Sequence, residues 1–144
     1  MPAIMKSLNN ISRCQATFRA EKLNAEGLCS GHHAFVLAIC HNPGRSQEEL
    51  AKELCLNKST VARVLTNLEE QGYIIRKSDK EDKRKFLVFP TEKMLKIFPK
   101  VRAVAKEWNS LISADISEEE MAVFYSVLAK MEESARNIVR GYKK

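Results

Sequence analysis

The chain has 144 residues, 44% of them hydrophobic and 29% charged, with a formal net charge of +6 at pH 7. That length suits one domain-sized unit, and that apolar content excludes an intrinsically disordered chain. The surplus of positive charge points to an anionic partner, with DNA, RNA and acidic membrane surfaces all open on charge alone.

From about Met5 to Ala25, Leu8, Ile11, Cys14, Phe18 and Leu23 recur at roughly helical spacing. The longest apolar run, Ala34 to Cys40, is far too short to span a bilayer. The opening residues lack the apolar core of a signal peptide, so a cytoplasmic protein with no membrane partner is expected. Pro43-Gly44 ends the helix before it. Ser46 and Glu49 then have the spacing of a capping box, in which hydroxyl and carboxylate each satisfy a free backbone N–H of the first turn. Leu50, Ala51 and Leu54 share one face of the helix that follows. Cys55-Leu56-Asn57 reads as a turn, with Asn57 placed to cap the next helix.

That next helix, about Lys58 to Gln71, has two faces. Val61, Val64, Leu65 and Leu68 form an apolar stripe, while Thr60, Arg63, Asn67 and Glu70 recur on the other side. Hydroxyl, guanidinium and amide groups on one face can hydrogen-bond base edges and phosphates. Ser59, Thr60 and Arg63 lie toward the amino end, where the helix dipole attracts phosphate. Taken alone, such a face reads as merely solvated; a capped helix and a three-residue turn before it favour a helix-turn-helix. Gly72 ends the helix, in the left-handed cap conformation. Tyr73-Ile74-Ile75 and residues 86–89 are short β-favouring runs. Between them, Arg76, Lys77, Lys80, Lys83, Arg84 and Lys85 stand among Asp79, Glu81 and Asp82. Two strands around so charged a loop make a hairpin, or wing, whose tip can reach the electronegative minor groove.

After the wing, Thr91 is placed to cap a long helix carrying Met94, Leu95, Ile97, Val101, Val104, Trp108 and Leu111. Pro99 removes one of its hydrogen bonds, so a kink is expected, not a stop. Ser117 and Glu120 form a second capping box, opening a last helix with Met121, Phe124, Tyr125, Leu128, Met131, Ala135 and Ile138 on one side.

Several of these motifs together resemble the MarR family of winged-helix transcriptional regulators. They are the Asn42-Pro43-Gly44 turn with Ser46-Gln47 and Leu50-Ala51, then Lys58-Ser59-Thr60-Val61 with Arg63, then Leu68-Glu69 with Gly72-Tyr73-Ile74. Asp82, Arg84 and Thr91 fit the family's wing pattern, although Pro90 stands where it has Leu and Met94 where a Gly often follows. The similarity spans almost the whole chain. It implies a mainly α fold with a small β-hairpin wing (α+β) and no catalytic activity. Residues 1–144 would form one unit, with a DNA-binding lobe over about 30–90 and dimerisation helices over about 4–29 and 91–144.

The resemblance implies that double-stranded DNA is the partner, read by a homodimer on a pseudo-palindromic operator, with repression as the outcome. The implied DNA-facing residues are Ser46, Gln47, Lys58, Ser59, Thr60, Arg63 and Asn67, with Asp82, Lys83 and Arg84 from the wing. Arg84 would enter the minor groove and Asp82 would orient it, as a carboxylate can hold a guanidinium. Many relatives bind small aromatic anions between the dimer helices and the DNA-binding lobe. By position, that cleft would take in Arg13, Phe18, His32, His33, Phe35 and Trp108. The same residues also read as structure, with His32-His33 capping a helix and Trp108 packing in the core.

The four cysteines, Cys14, Cys29, Cys40 and Cys55, form no Cys-x-x-Cys pair, and buried thiols are their default. Cys14 lies where some relatives sense hydroperoxides, but no tyrosine precedes Tyr73. A zinc site on Glu26, Cys29, Cys40 or His41 lacks a histidine later in the chain, so no metal is expected. No Gly-rich phosphate loop, HExxH or Gly-x-Ser-x-Gly occurs, so neither an enzyme nor a cofactor is expected. Two alternatives remain: a winged-helix module that binds protein, against which the basic wing argues, and a monomer whose terminal helices wrap their own core.

Overall fold

The computed structural model describes residues 3–28 and 30–143. Among them the α-helices and strands run α1 (Ile4–Leu23), α2 (His33–His41), β1 (Arg45–Ser46), α3 (Gln47–Leu54), α4 (Lys58–Glu70), β2 (Ile74–Ser78), β3 (Phe86–Pro90), α5 (Glu92–Ile112) and α6 (Glu118–Arg140). The sheet is antiparallel in the order β1-β3-β2, with Ile75 opposite Phe89 and Arg45 opposite Val88. The expected two-stranded wing therefore has a third strand. Two residues carry no periodicity, and Arg45–Ser46 becomes a strand only by pairing with β3.

Two compact units divide the chain, one ending at Trp108 and the other starting at Asn109. In the first, the apolar stripe of α4 (Val61, Leu65, Leu68) is fully buried with Leu50 of α3, Phe35 and Ile39 of α2, Ile74 and Val88 of the sheet, and Met94 of α5. A buried aliphatic side chain of this size contributes about 1.5–3 kcal/mol, so this cluster fixes α4 against the sheet. Helix α5 continues through Pro99.

In the second unit α6 opens on a complete capping box: Glu120 N–H donates to the Ser117 hydroxyl (3.1 Å) and Ser117 N–H to the Glu120 carboxylate (2.9 Å). None of its described residues is buried, and Phe124, Val127, Met131 and Ile138 stay exposed at spacings of three, four and seven. No helix among the described residues is long and apolar enough to cross a membrane.

Candidate nucleic-acid interface

The helix-turn-helix is built as its sequence dictates, with one difference. Ser46 caps α3 by accepting Glu49 N–H at 3.2 Å. The Glu49 carboxylate, however, accepts a hydrogen bond from the Ser46 hydroxyl (3.2 Å) instead of from a backbone amide, so the box is half formed. Ser46 belongs to strand β1 opposite Leu87, which leaves its backbone in the sheet. The turn passes through Cys55 in the left-handed region, φ 52°. Asn57 then caps α4, its carbonyl oxygen accepting Thr60 N–H and the Ser59 hydroxyl, both at 2.8 Å. Beyond α4, Gly72 has φ 79°, the left-handed conformation that a glycine permits at no steric cost.

Arg45 ties this unit together. Its guanidinium donates to the carbonyls of Asn42 (3.2 Å) and Ala38 and pairs with Glu53, which links α2, β1 and α3. Arg76 does the same between wing and α4, donating to the Thr66 hydroxyl at 2.9 Å and pairing with Glu69 at 3.4 Å. Thr91 does not cap α5 with its hydroxyl as expected; the hydroxyl donates to the carbonyls of Gly72 (2.6 Å) and Tyr73 (3.0 Å). Both carbonyls lie just beyond the end of α4, and that of Tyr73 also accepts the Thr91 N–H (3.0 Å), so the residue closes the wing onto the turn after the helix instead.

At the wing tip the Asp82 carboxylate accepts the Arg84 backbone N–H (3.1 Å) and its Nε–H (3.3 Å). Asp82 is half-shielded, while the Arg84 side chain is 92% exposed. One carboxylate thus fixes both the loop and the first part of a side chain that touches little else. Lys83 is exposed beside it. On α4, Lys58, Ser59, Arg63 and Asn67 are exposed and Thr60 half-buried. Ser46 is buried and Gln47 half-buried. A concave surface gathers Ser46, Gln47, Glu48 and Lys58 from the helix-turn-helix with Arg84, Lys85 and Phe86 from the wing. Residues nearly forty positions apart therefore share one cationic cleft. Lys85 and Glu48 were not among the residues singled out from sequence; only the fold places them beside Lys58 and Arg84.

Residues 32–86 match the model of the MarR family. The transcriptional regulator BilQ of Clostridium symbiosum is 32% identical over 79% of this chain and 79% of its own. This chain belongs to the MarR family. It is a DNA-binding transcriptional regulator and not an enzyme, and its fold is the mainly helical winged helix expected from sequence. A MarR-family regulator of Listeria monocytogenes, solved with a 26mer DNA, superposes with a TM-score of 0.90 at 28% identity, over 95% of this chain and 91% of that one. A MarR regulator of Methanosarcina mazei superposes at 0.86 with 28% identity, over 96% and 99%.

The residues that the MarR resemblance assigns to an effector cleft do not behave alike. Phe18 and Trp108 meet, ring centroids 5.4 Å apart. Arg13 is exposed and donates to Asn10 on its own helix (3.3 Å). Phe35 is a core residue, 1% exposed. His32 is the residue before α2 but makes no side-chain cap bond. His33 is fully buried, and neither ring nitrogen has a hydrogen-bond partner. Burial, then the nearby Arg19 and His32 charges, push its pKa down to about 4, so it is neutral at pH 7. Burial also lowers the pKa of His32, with the Arg63 charge adding to it. Arg19, unremarked in the sequence, has a buried Nε–H without an acceptor. No feature of its spacing marks it, because only the packing of α1 shows what it faces.

Among the cysteines, Cys14 and Cys55 are exposed and Cys40 is half-buried, its thiol pushed up to about 11 by burial. Cys29 of the zinc candidates lies outside the described residues, and the described residues bring no three His, Cys, Asp or Glu together around one point.

Proposed function

We propose that this regulator acts in the cytoplasm as a homodimeric, ligand-responsive repressor on a pseudo-palindromic operator. The observation that carries the reading is the shared cleft, with the amino end of α4 on one side and Arg84 on the other. A duplex that receives α4 in its major groove meets the wing in the adjacent minor groove. Base contacts then fall to Arg63, Thr60, Ser59 and Asn67, and backbone contacts to Lys58, Gln47 and Lys83. Ser46 acts through its cap on α3, and Asp82 through its hold on Arg84.

Residues 30–90 are the DNA-binding lobe and the flanking helices, 4–29 and 91–144, the dimerisation elements. The uncovered apolar side of α6 supports a second subunit, since Phe124, Val127 and Met131 have no cover within their own unit. Two-fold pairing sets the recognition helices about one helical turn apart, roughly 34 Å. A small aromatic or anionic effector is supported by the unpartnered buried nitrogens of Arg19, His32 and His33, since such groups require an acceptor or donor. An effector that prefers one spacing of the two α4 helices shifts the population away from the bound form.

Mobility-shift titration with the duplex upstream of the protein's own gene, alongside light scattering for mass, tests this. Expected are a dimeric mass and a shift that survives competitor DNA. A monomer, or no shift even at low salt, overturns the reading.

A further inference from the structure

Most of the acidic residues of α3 and α4 that make recorded contacts hold the fold. Glu49 takes the Ser46 hydroxyl, Glu53 pairs with Arg45 and Glu69 with Arg76. Glu48 holds nothing comparable. It is the sole acid lining the cleft that also carries Lys58, Arg84 and Lys85, and it meets Lys58 at 3.5 Å with side chains 62% and 76% exposed. A pair so open to water adds little to stability and exchanges readily.

A protein that enters a major groove and the neighbouring minor groove must let one sugar-phosphate strand pass between the two elements. In this chain that passage is the cleft. We propose that the cleft seats a backbone phosphate of the bound duplex, and that Glu48 is a built-in competitor that occupies Lys58 until the phosphate displaces it. The inference rests on the DNA-binding reading above and adds to it a contact and a counter-charge. Glu48 then sets how tightly any duplex is held, whatever its sequence, and so restrains non-specific binding relative to operator binding. Base contacts through α4 are untouched by it.

The test uses a mixed-sequence duplex of about 30 base pairs, where phosphate contacts dominate, at about 50 mM salt. Glu48→Gln should bind it more tightly than the wild type by about fivefold for each cleft engaged, the effect of one unit charge at close range in water, and so by about twenty-five-fold where both clefts of a dimer engage. Glu119→Gln, the same charge change on α6, should alter it little. Glu48→Lys should tighten it further. In a Lys58→Met background the gain from Glu48→Gln should shrink, because no lysine is left to release and only direct repulsion between carboxylate and phosphate remains. Glu48→Gln no tighter than Glu119→Gln, or an undiminished gain without Lys58, overturns the competitor while leaving the regulator reading intact. A wild-type protein that does not bind the duplex at all overturns both. Thermal midpoints separate either outcome from a loss of α3 stability, since an acid in a first helical turn contributes modestly to the helix.

Discussion

Replacing Arg84 by alanine separates binding from folding more cleanly than any other change in this chain. Its side chain is 92% exposed, and among the described residues its side-chain partner is Asp82. An exposed pair of this kind is worth at most about 1 kcal/mol, so the thermal midpoint should move by no more than a few degrees. In the groove the guanidinium makes charge-assisted hydrogen bonds worth about 1.5–3 kcal/mol. A dimer has two wings, so Arg84→Ala should weaken operator binding by about 3–6 kcal/mol, roughly a hundredfold to ten-thousandfold. The plot of log affinity against log salt should flatten by about two, one for each lost cation. Asp82→Asn keeps an acceptor for the Arg84 backbone N–H but removes the charge that steers Nε. It should fall between wild type and Arg84→Ala, with the salt slope nearly unchanged. Fluorescence anisotropy over a salt series, with midpoints from calorimetry, measures all of this. Unchanged affinity and slope in Arg84→Ala, with the fold intact, would remove the wing from the interface.

Arg63→Ala should cost about 1–3 kcal/mol per half-site and relax discrimination at one base pair in each, read by competition with single-substituted duplexes. Gly44 has φ 87°, and a Cβ there would lie 3.2 Å from Phe89. Gly44→Ala should therefore destabilise by about 1–3 kcal/mol in urea unfolding, whereas Gly31→Ala, with open space around it, should be near neutral. His33 is a base whose folded pKa, about 4, lies below its unfolded value of 6.5. The unfolded chain therefore binds its proton first as pH falls. Stability from this residue is fully present above pH 6.5 and declines by up to about 1.4 kcal/mol per pH unit from there to pH 4. Unfolding series at pH 7 and pH 5 should show a smaller difference in His33→Phe than in the wild type; equal differences would remove His33 as the cause.

The parts of the fold that carry their own local signal were legible in the sequence. Asn57 and Ser117 cap where their spacing placed them, and the stripe of Val61, Leu65 and Leu68 is the buried face of α4. The pairing of Asp82 with Arg84 was implied by the family resemblance, and the structure has it on one loop. What escaped depends on partners distant in sequence. Strand β1 exists only through β3, and Thr91 turns its hydroxyl to Gly72 because the wing returns there. Ser46 reads as a polar residue free to meet DNA, yet the sheet buries it. Arg19, Glu48 and Lys85 were passed over because their neighbours come from other elements.

The same long-range contacts give the proposed effector response a route to the DNA-reading surface. Helix α4 has no freedom to move alone: Arg76 fastens Thr66 and Glu69 to β2, and Lys93 of α5 donates to the Gln71 carbonyl at 2.6 Å. Thr91, one residue before α5, holds the carbonyls of Gly72 and Tyr73. The carboxyl end of α4 is therefore bonded to the start of α5, while its amino end is capped by Asn57. A shift at the start of α5 must carry α4 and the wing as one body, because breaking three charge-assisted or short hydrogen bonds at once costs more than moving them together. Under the proposed ligand response, the regulated quantity is the placement of a rigid reading head, not its internal shape. Cutting the tie with Lys93→Met should loosen this coupling, so that an effector changes DNA affinity less while affinity without effector stays near that of the wild type. An undiminished effector response in Lys93→Met would place the coupling elsewhere.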